Sequence, residues 1–247
     1  ATSLDFSLGR RSRAPGEISG LAPLPIVNLL HAAHVPAGDG PFPTILALHG
    51  WGASAHDLLG LAPLLYDGQA LVLCPQGSVE VPITPGMHGY GWFPITGGGP
   101  PDPEEFARAA AALRIFLDAA LERYAVDPRK LVVLGFSQGG VMAYDLALRD
   151  PSRFAGLAAL SSWLTVSLAS ELPKLPEHAG FPVLVMHGTE DPMIDVARAR
   201  ESRESLRPLG VALTYREYAM GHTIGPEATR DLVTWLRDKV ISPIQLV

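Results

Sequence analysis

Short apolar runs alternate along this chain with longer stretches whose apolar positions recur every three or four residues. The short runs predict strands over residues 4–8, 27–34, 44–48, 70–74, 131–135, 156–160, 183–187 and 212–217. The longer stretches predict helices near residues 54–66, 103–124, 138–149, 195–209 and 226–240. Strands and helices alternating in this order are the pattern of an α/β fold, a mostly parallel central sheet flanked by helices. DPEEF carries the clearest helix start, with Asp102 as N-cap, Pro103 in the first turn and Glu105 at the capping-box position. VDP at residues 126–128 ends the same helix. Two stretches stay irregular: residues 76–101, rich in Gly, Pro and aromatics, and residues 161–180. Loops this long inside a compact domain read as lids or binding loops, or else as ordered surface loops.

At 247 residues, 47% apolar and 18% charged, the chain fits one folded domain spanning its whole length. Its 19 basic and 25 acidic residues give a net charge of −6, with no basic stripe or Lys/Arg block. That leaves no electrostatic basis for a nucleic-acid or anionic-membrane partner and favours a neutral small molecule. The one cysteine, Cys74 in ALVLCPQG, reads as a buried strand thiol outside any intrachain disulfide. The N-terminal residues lack the layout of a signal peptide and no apolar run reaches the length of a membrane span, so the expectation is a cytoplasmic protein without stable membrane insertion. A mature protein already stripped of its signal would look the same. Neither repeats nor linkers are visible, and GGGPP at residues 97–101 lacks the Gly-Lys-Ser/Thr ending of a phosphate loop.

One segment carries chemistry of its own. In LVVLGFSQGGVMAYDLAL, G-x-S-x-G sits where an apolar strand runs directly into a helical pattern. A serine on such a turn is forced into a strained conformation and projects from the carboxyl edge of the sheet at a helix N-terminus. Ser137 is thus a candidate nucleophile; the plainer reading is a helix N-cap. Since a serine hydroxyl attacks esters only with a base, and the base needs an orienting acid, the partners are sought downstream in the order acid, then histidine. VLVMHGTEDPMI places Asp191 just beyond one predicted strand and YREYAMGHTI places His222 just beyond the next. Asp191 precedes Pro192 and also suits a turn, and Glu190 and Asp195 are rival acids, although Asp195 reads better as the N-cap of the next helix. His187 reads as a buried structural histidine. His31 and His34 fall on opposite strand faces and make a poor metal pair, and His56 and His88 lack partners, so no metal site is expected. A tetrahedral oxyanion needs preorganised donors, and the backbone N–H of Gln138 is one. ILALHGWGAS supplies the second from its glycine-rich loop: Trp51 N–H is the choice, with Gly50 as rival and a simple turn as the alternative reading.

With LHGWG, GFSQGG, HGTEDPMI and GHTI in place and in this order, the chain resembles the phospholipase/carboxylesterase family of α/β-hydrolases, which includes acyl-protein thioesterases and bacterial carboxylesterases. The resemblance implies an α/β-hydrolase fold, a Ser137, Asp191, His222 triad, an oxyanion hole from Trp51 and Gln138, and action on carboxylic or thioesters without a cofactor. YGWFPIT at residues 90–96 resembles the family's aromatic segment, with Pro94 where relatives often carry Asp, and Ala53 likewise stands in place of Asp. Large caps of this fold enter where this chain has only residues 161–180, too few for one. The expectation is therefore an open or shallow site walled by Trp51, Trp92, Phe93 and Trp163, with core or rim packing as the other reading of these rings. A small ester of short or medium acyl length is the expected substrate. An acyl-protein thioesterase or lysophospholipase with the same triad is the alternative, and a catalytically silent hydrolase-fold binding module the remote one. A monomer or homodimer is expected.

Overall fold

The computed structural model describes residues 29–95 and 100–241. The predicted strand over residues 4–8 and the start of the next lie outside the described residues. Nine strands are present among those described: β1 (His31–His34), β2 (Phe42–Leu48), β3 (Leu71–Pro75), β4 (Val79–Thr84), β5 (Met87–Gly91), β6 (Val126–Phe136), β7 (Gly156–Leu160), β8 (Pro182–Gly188) and β9 (Ala212–Tyr218). Seven of them form one sheet in the order β1-β3-β2-β6-β7-β8-β9. Only β1 runs antiparallel, against β3, and every other pairing in this sheet is parallel.

Both faces of this sheet are covered, which is why its strands read as near-continuous apolar runs. On one face Leu46, Leu48, Val133, Leu157 and Val185 pack with helices α1 (Pro103–Arg123), α2 (Gln138–Arg149) and α4 (Val196–Leu206). On the other face Ile45, Ala47, Val132, Leu134 and Met186 pack with α5 (Pro226–Trp235) and the turns around Leu58 and Leu65. Alternate strand residues serve opposite cores, as the two-residue period of a strand requires. Along α1, Ala109, Ala110, Leu113, Phe116, Leu117 and Ala120 bury at helical spacing, and Asp102 caps the helix by accepting from the N–H groups of Glu104 and Glu105, each at 3.0 Å. Glu105 bonds Arg108 instead of reaching back to the cap. Cys74 is buried in β3, and burial pushes its thiol up to about 12.

Three local expectations change. Residues 54–66 form short 3₁₀ turns, Leu58–Leu61 and Leu65–Gly68, in place of an α-helix. Pro63 cannot donate to an α-helical ladder, and Tyr66 and Asp67 adopt φ of 51° and 52°. The irregular stretch after β3 contains the antiparallel β4–β5 hairpin, which buries so little that alternation never marked it: only Val81 of β4 is buried. Residues 161–180 include α3 (Val166–Glu171), capped by Thr165, whose hydroxyl accepts from Leu168 N–H at 3.2 Å. α5 continues as a π-helical turn over Leu236–Ile241.

The start of α2 lies so close to the end of β2 that a Cβ at Gly139 would overlap the carbonyl oxygens of Leu48 and His49. Backbone carbonyls cannot swing away as a flexible side chain would. Gly139→Ala should therefore lower the unfolding free energy by about 3 kcal/mol, read by denaturant titration; a variant as stable as the parent would contradict this packing.

Candidate active site

β6, β8 and β9 run parallel, so the residues that follow them emerge at one edge of the sheet. Ser137 follows β6, Asp191 follows β8 and His222 follows β9. Ser137 has φ 54° and ψ −121°, a conformation that a non-glycine residue holds only when its surroundings impose it. Its N–H donates to Leu160 carbonyl at 2.9 Å, and its own carbonyl accepts from Gly140 N–H at 2.9 Å. The Ser137 side chain makes no cap to α2, so the N-cap reading does not describe it.

The loops after β8 and β9 are joined through their backbones: Thr189 N–H donates to Tyr218 carbonyl and Glu190 N–H to Met220 carbonyl. This brings His222 Nδ1 to 2.8 Å from Asp191 Oδ2. The His222 ring packs on Phe136, the residue before Ser137, with centroids 4.9 Å apart. Asp191 Oδ1 accepts from the N–H groups of Met193 and Ile194, each at 2.9 Å. One Asp191 oxygen thus holds the turn and the other faces His222. Asp195 caps α4 through Ala197 N–H, and Glu190 is exposed. His187 is fully buried, with Nε2 2.8 Å from Ile194 carbonyl and 3.4 Å from Asp191 Oδ2, so it braces the acid's loop.

The loop after β2 is held from several sides. His49 is buried, sits 2.7 Å through Nδ1 from Gly50 carbonyl, and accepts from Gly77 N–H through Nε2 at 3.0 Å. These partners set the neutral tautomer with the proton on Nδ1, in line with burial pushing this imidazole below its ordinary value. Gly52 N–H donates to Tyr90 carbonyl and Tyr90 N–H to Ala53 carbonyl, tying the loop to β5. Trp51 N–H donates to no acceptor among the described residues. Gln138 N–H opens α2, where a helix leaves its first donors free. Gly50 lies directly against Ser137, where a Cβ would come within 3.2 Å of the serine Cβ.

Of the four rings expected to wall the site, Trp51 and Trp163 are half-buried, while Trp92 and Phe93 are each 2% exposed and lie in the core. Burial leaves these two rings almost no surface with which to wall the site. The side chain of Gln138, which the sequence reading passed over, is the reason: its Oε1 accepts from Trp92 N–H at 2.8 Å and its Nε2 donates to Phe93 carbonyl at 2.7 Å. Trp92 Nε1–H then reaches His49 carbonyl at 2.8 Å. Trp163 lies beneath the Arg198 guanidinium, 5.9 Å from the ring centroid. Ile83, Met87 and Met193 are exposed, and Ile83 leans on Gly52. Among the described residues no three His, Cys, Asp or Glu side chains group to hold a metal ion, and no helix is long and apolar enough to cross a membrane.

The sequence matches the family model described as Phospholipase/Carboxylesterase over residues 31–240. The chain belongs to the phospholipase/carboxylesterase family. It is thereby placed among carboxylic ester hydrolases of the α/β-hydrolase fold. Acyl-protein thioesterase 1 of Gibberella zeae is 28% identical over 223 residues, covering 83% of this chain and 94% of that protein. Among solved structures, the Bacillus cereus carboxylesterase is 26% identical with a TM-score of 0.72, covering 85% of this chain and 93% of its own. Esterase PE8 is 25% identical with a TM-score of 0.74, covering 87% of this chain and all of its own.

The fully buried Asp191 carboxylate has a sign that can be tested. Burial pushes its carboxyl up, but the hydrogen bonds from His222 and from the N–H groups of Ile194 and Met193 outweigh burial and hold it below the ordinary value. A depressed folded-state pKa means that this stabilisation is full above the unfolded value of about 4 and is lost as pH falls through the folded one. Asp191→Asn should therefore flatten the acid limb of unfolding free energy against pH; parallel limbs for variant and parent would contradict the assignment.

Proposed function

We propose that this protein hydrolyses short- to medium-chain carboxylic esters through an acyl-enzyme formed on Ser137. The observation that carries the reading is the Asp191–His222 hydrogen bond of 2.8 Å, made beside the strained turn that presents Ser137. With Nδ1–H committed to Asp191, His222 Nε2 is the free base. It takes the Ser137 proton as Oγ attacks the carbonyl carbon, and the C=O electron pair moves onto oxygen. The N–H groups of Trp51 and Gln138 receive that oxyanion. Collapse expels the alcohol, which leaves with the proton from His222, and water then repeats the cycle to release the acid. Asp191 holds the imidazole in place and stabilises its cation. No cofactor enters any step.

A second reading, with a thioester or a lysolipid as substrate, has support from relatives named acyl-protein thioesterase 1. The exposed Ile83 beside Gly52 and Met193 beside Asp191 would suit a longer acyl chain.

Ser137→Ala should reduce turnover of p-nitrophenyl butyrate by at least about 10⁴-fold and abolish covalent labelling by a fluorophosphonate, with the fold retained by circular dichroism. An unchanged rate would overturn the nucleophile. Across p-nitrophenyl esters, a palmitoyl thioester and a lysophospholipid, butyrate to octanoate esters are expected to react fastest. Palmitate faster than butyrate would favour the second reading.

A further inference from the structure

The end of β7 reaches into the nucleophile turn through a residue to which the mechanism above gives no part. Ser162 is 1% exposed, two residues beyond Leu160, whose carbonyl accepts the Ser137 N–H. Its hydroxyl donates to the Ser137 carbonyl at 2.7 Å, and that oxygen also accepts from Gly140 N–H at 2.9 Å. A peptide unit is planar, so the Ser137 carbonyl and the Gln138 N–H lie in one plane and point in opposite directions. Two donors on the oxygen therefore fix the direction of the N–H.

We propose that Ser162 is a positioning residue that aims the Gln138 N–H at the developing oxyanion. This rests on the reading of Ser137 as nucleophile and Gln138 N–H as oxyanion donor. The Gly140 N–H bond alone leaves the plane one pivot about which to rock; the second bond, from just beyond the end of β7, removes it. A hydrogen bond to the carbonyl also polarises the amide and strengthens its N–H as a donor. The last glycine of GFSQGG is part of the same device, because a Cβ at Gly140 would overlap both Cβ and Oγ of Ser162. Its neighbour Ser161 is fully buried at φ 46°, and its hydroxyl lies 3.3 Å from the Thr223 carbonyl in the His222 loop. Through that left-handed turn, adjacent side chains reach the nucleophile on one side and the loop of the base on the other.

The test compares the parent with Ser162→Ala and with Ser162→Cys, which nearly fills the same space with a weak donor. Three quantities are measured: kcat and KM for p-nitrophenyl butyrate, Ki for a trifluoromethyl ketone whose hemiketal oxyanion occupies the hole, and the unfolding midpoint. Mis-aiming one donor should lower kcat about tenfold in both variants, less than its outright removal, with KM within about twofold. Ki should rise by the same factor as kcat falls. Unchanged kcat and Ki in both variants would overturn the proposal, as would a loss of kcat tracking a fall in the unfolding midpoint with Ki unmoved. A parent protein inert to both ester and ketone would strike at Ser137 itself.

Discussion

Ser137 holds φ 54° and ψ −121°, and the architecture around it is arranged to keep it there. Such a conformation costs a residue with a Cβ of order 1–3 kcal/mol and persists only when its neighbours over-determine it. The end of β7 does so through Leu160 carbonyl, the segment just beyond it through the Ser162 hydroxyl, and α2 through Gly140 N–H. The price of this turn falls on the sequence as small residues: Gly139 lets α2 approach β2, and Gly140 leaves space for Ser162. The strand-to-helix turn is thus held by three hydrogen bonds, two from β7 and the residues just beyond it and one from α2.

Charge is handled at the same sheet edge by a second set of constraints. Asp191 is buried yet kept ionised by three donors, two of them N–H groups of its own turn. Those two bonds orient the carboxylate, so its other oxygen is aimed at His222 before any substrate arrives. A buried His187 behind the loop and the backbone links between the loops after β8 and β9 prevent the pair from drifting apart. In the proposed reaction, preorganisation of this kind would let the site meet developing charge without reorganising.

Much of this was legible along the chain. The main-sheet strands among the described residues read correctly because a sheet buried on both faces needs uninterrupted apolar runs. The order of GFSQG, Asp191 and His222 was equally plain, since each follows a strand of one parallel sheet. The β4–β5 hairpin did not show, because it buries almost nothing and so has no alternation to betray it. Residues 54–66 misled in the other direction: Leu58, Ala62 and Leu65 are buried at near-helical spacing, but Pro63 divides the segment into short turns.

By itself, the sequence determined the succession of main-sheet strands and most of their following helices and the chemical types present after those strands, because periodicity and glycine placement are local properties of the chain. Tertiary structure alone decided which way side chains face when two readings share the same letters. Trp92 and Phe93 resemble wall residues in sequence, yet the Gln138 amide draws their backbone inward and the core takes their rings. Ser162 looks like an ordinary loop serine until β7 and β6 are laid side by side. Its hydroxyl then meets the carbonyl of a residue 25 positions earlier. Such contacts depend on strand neighbours distant in sequence, and no window along the chain contains both partners.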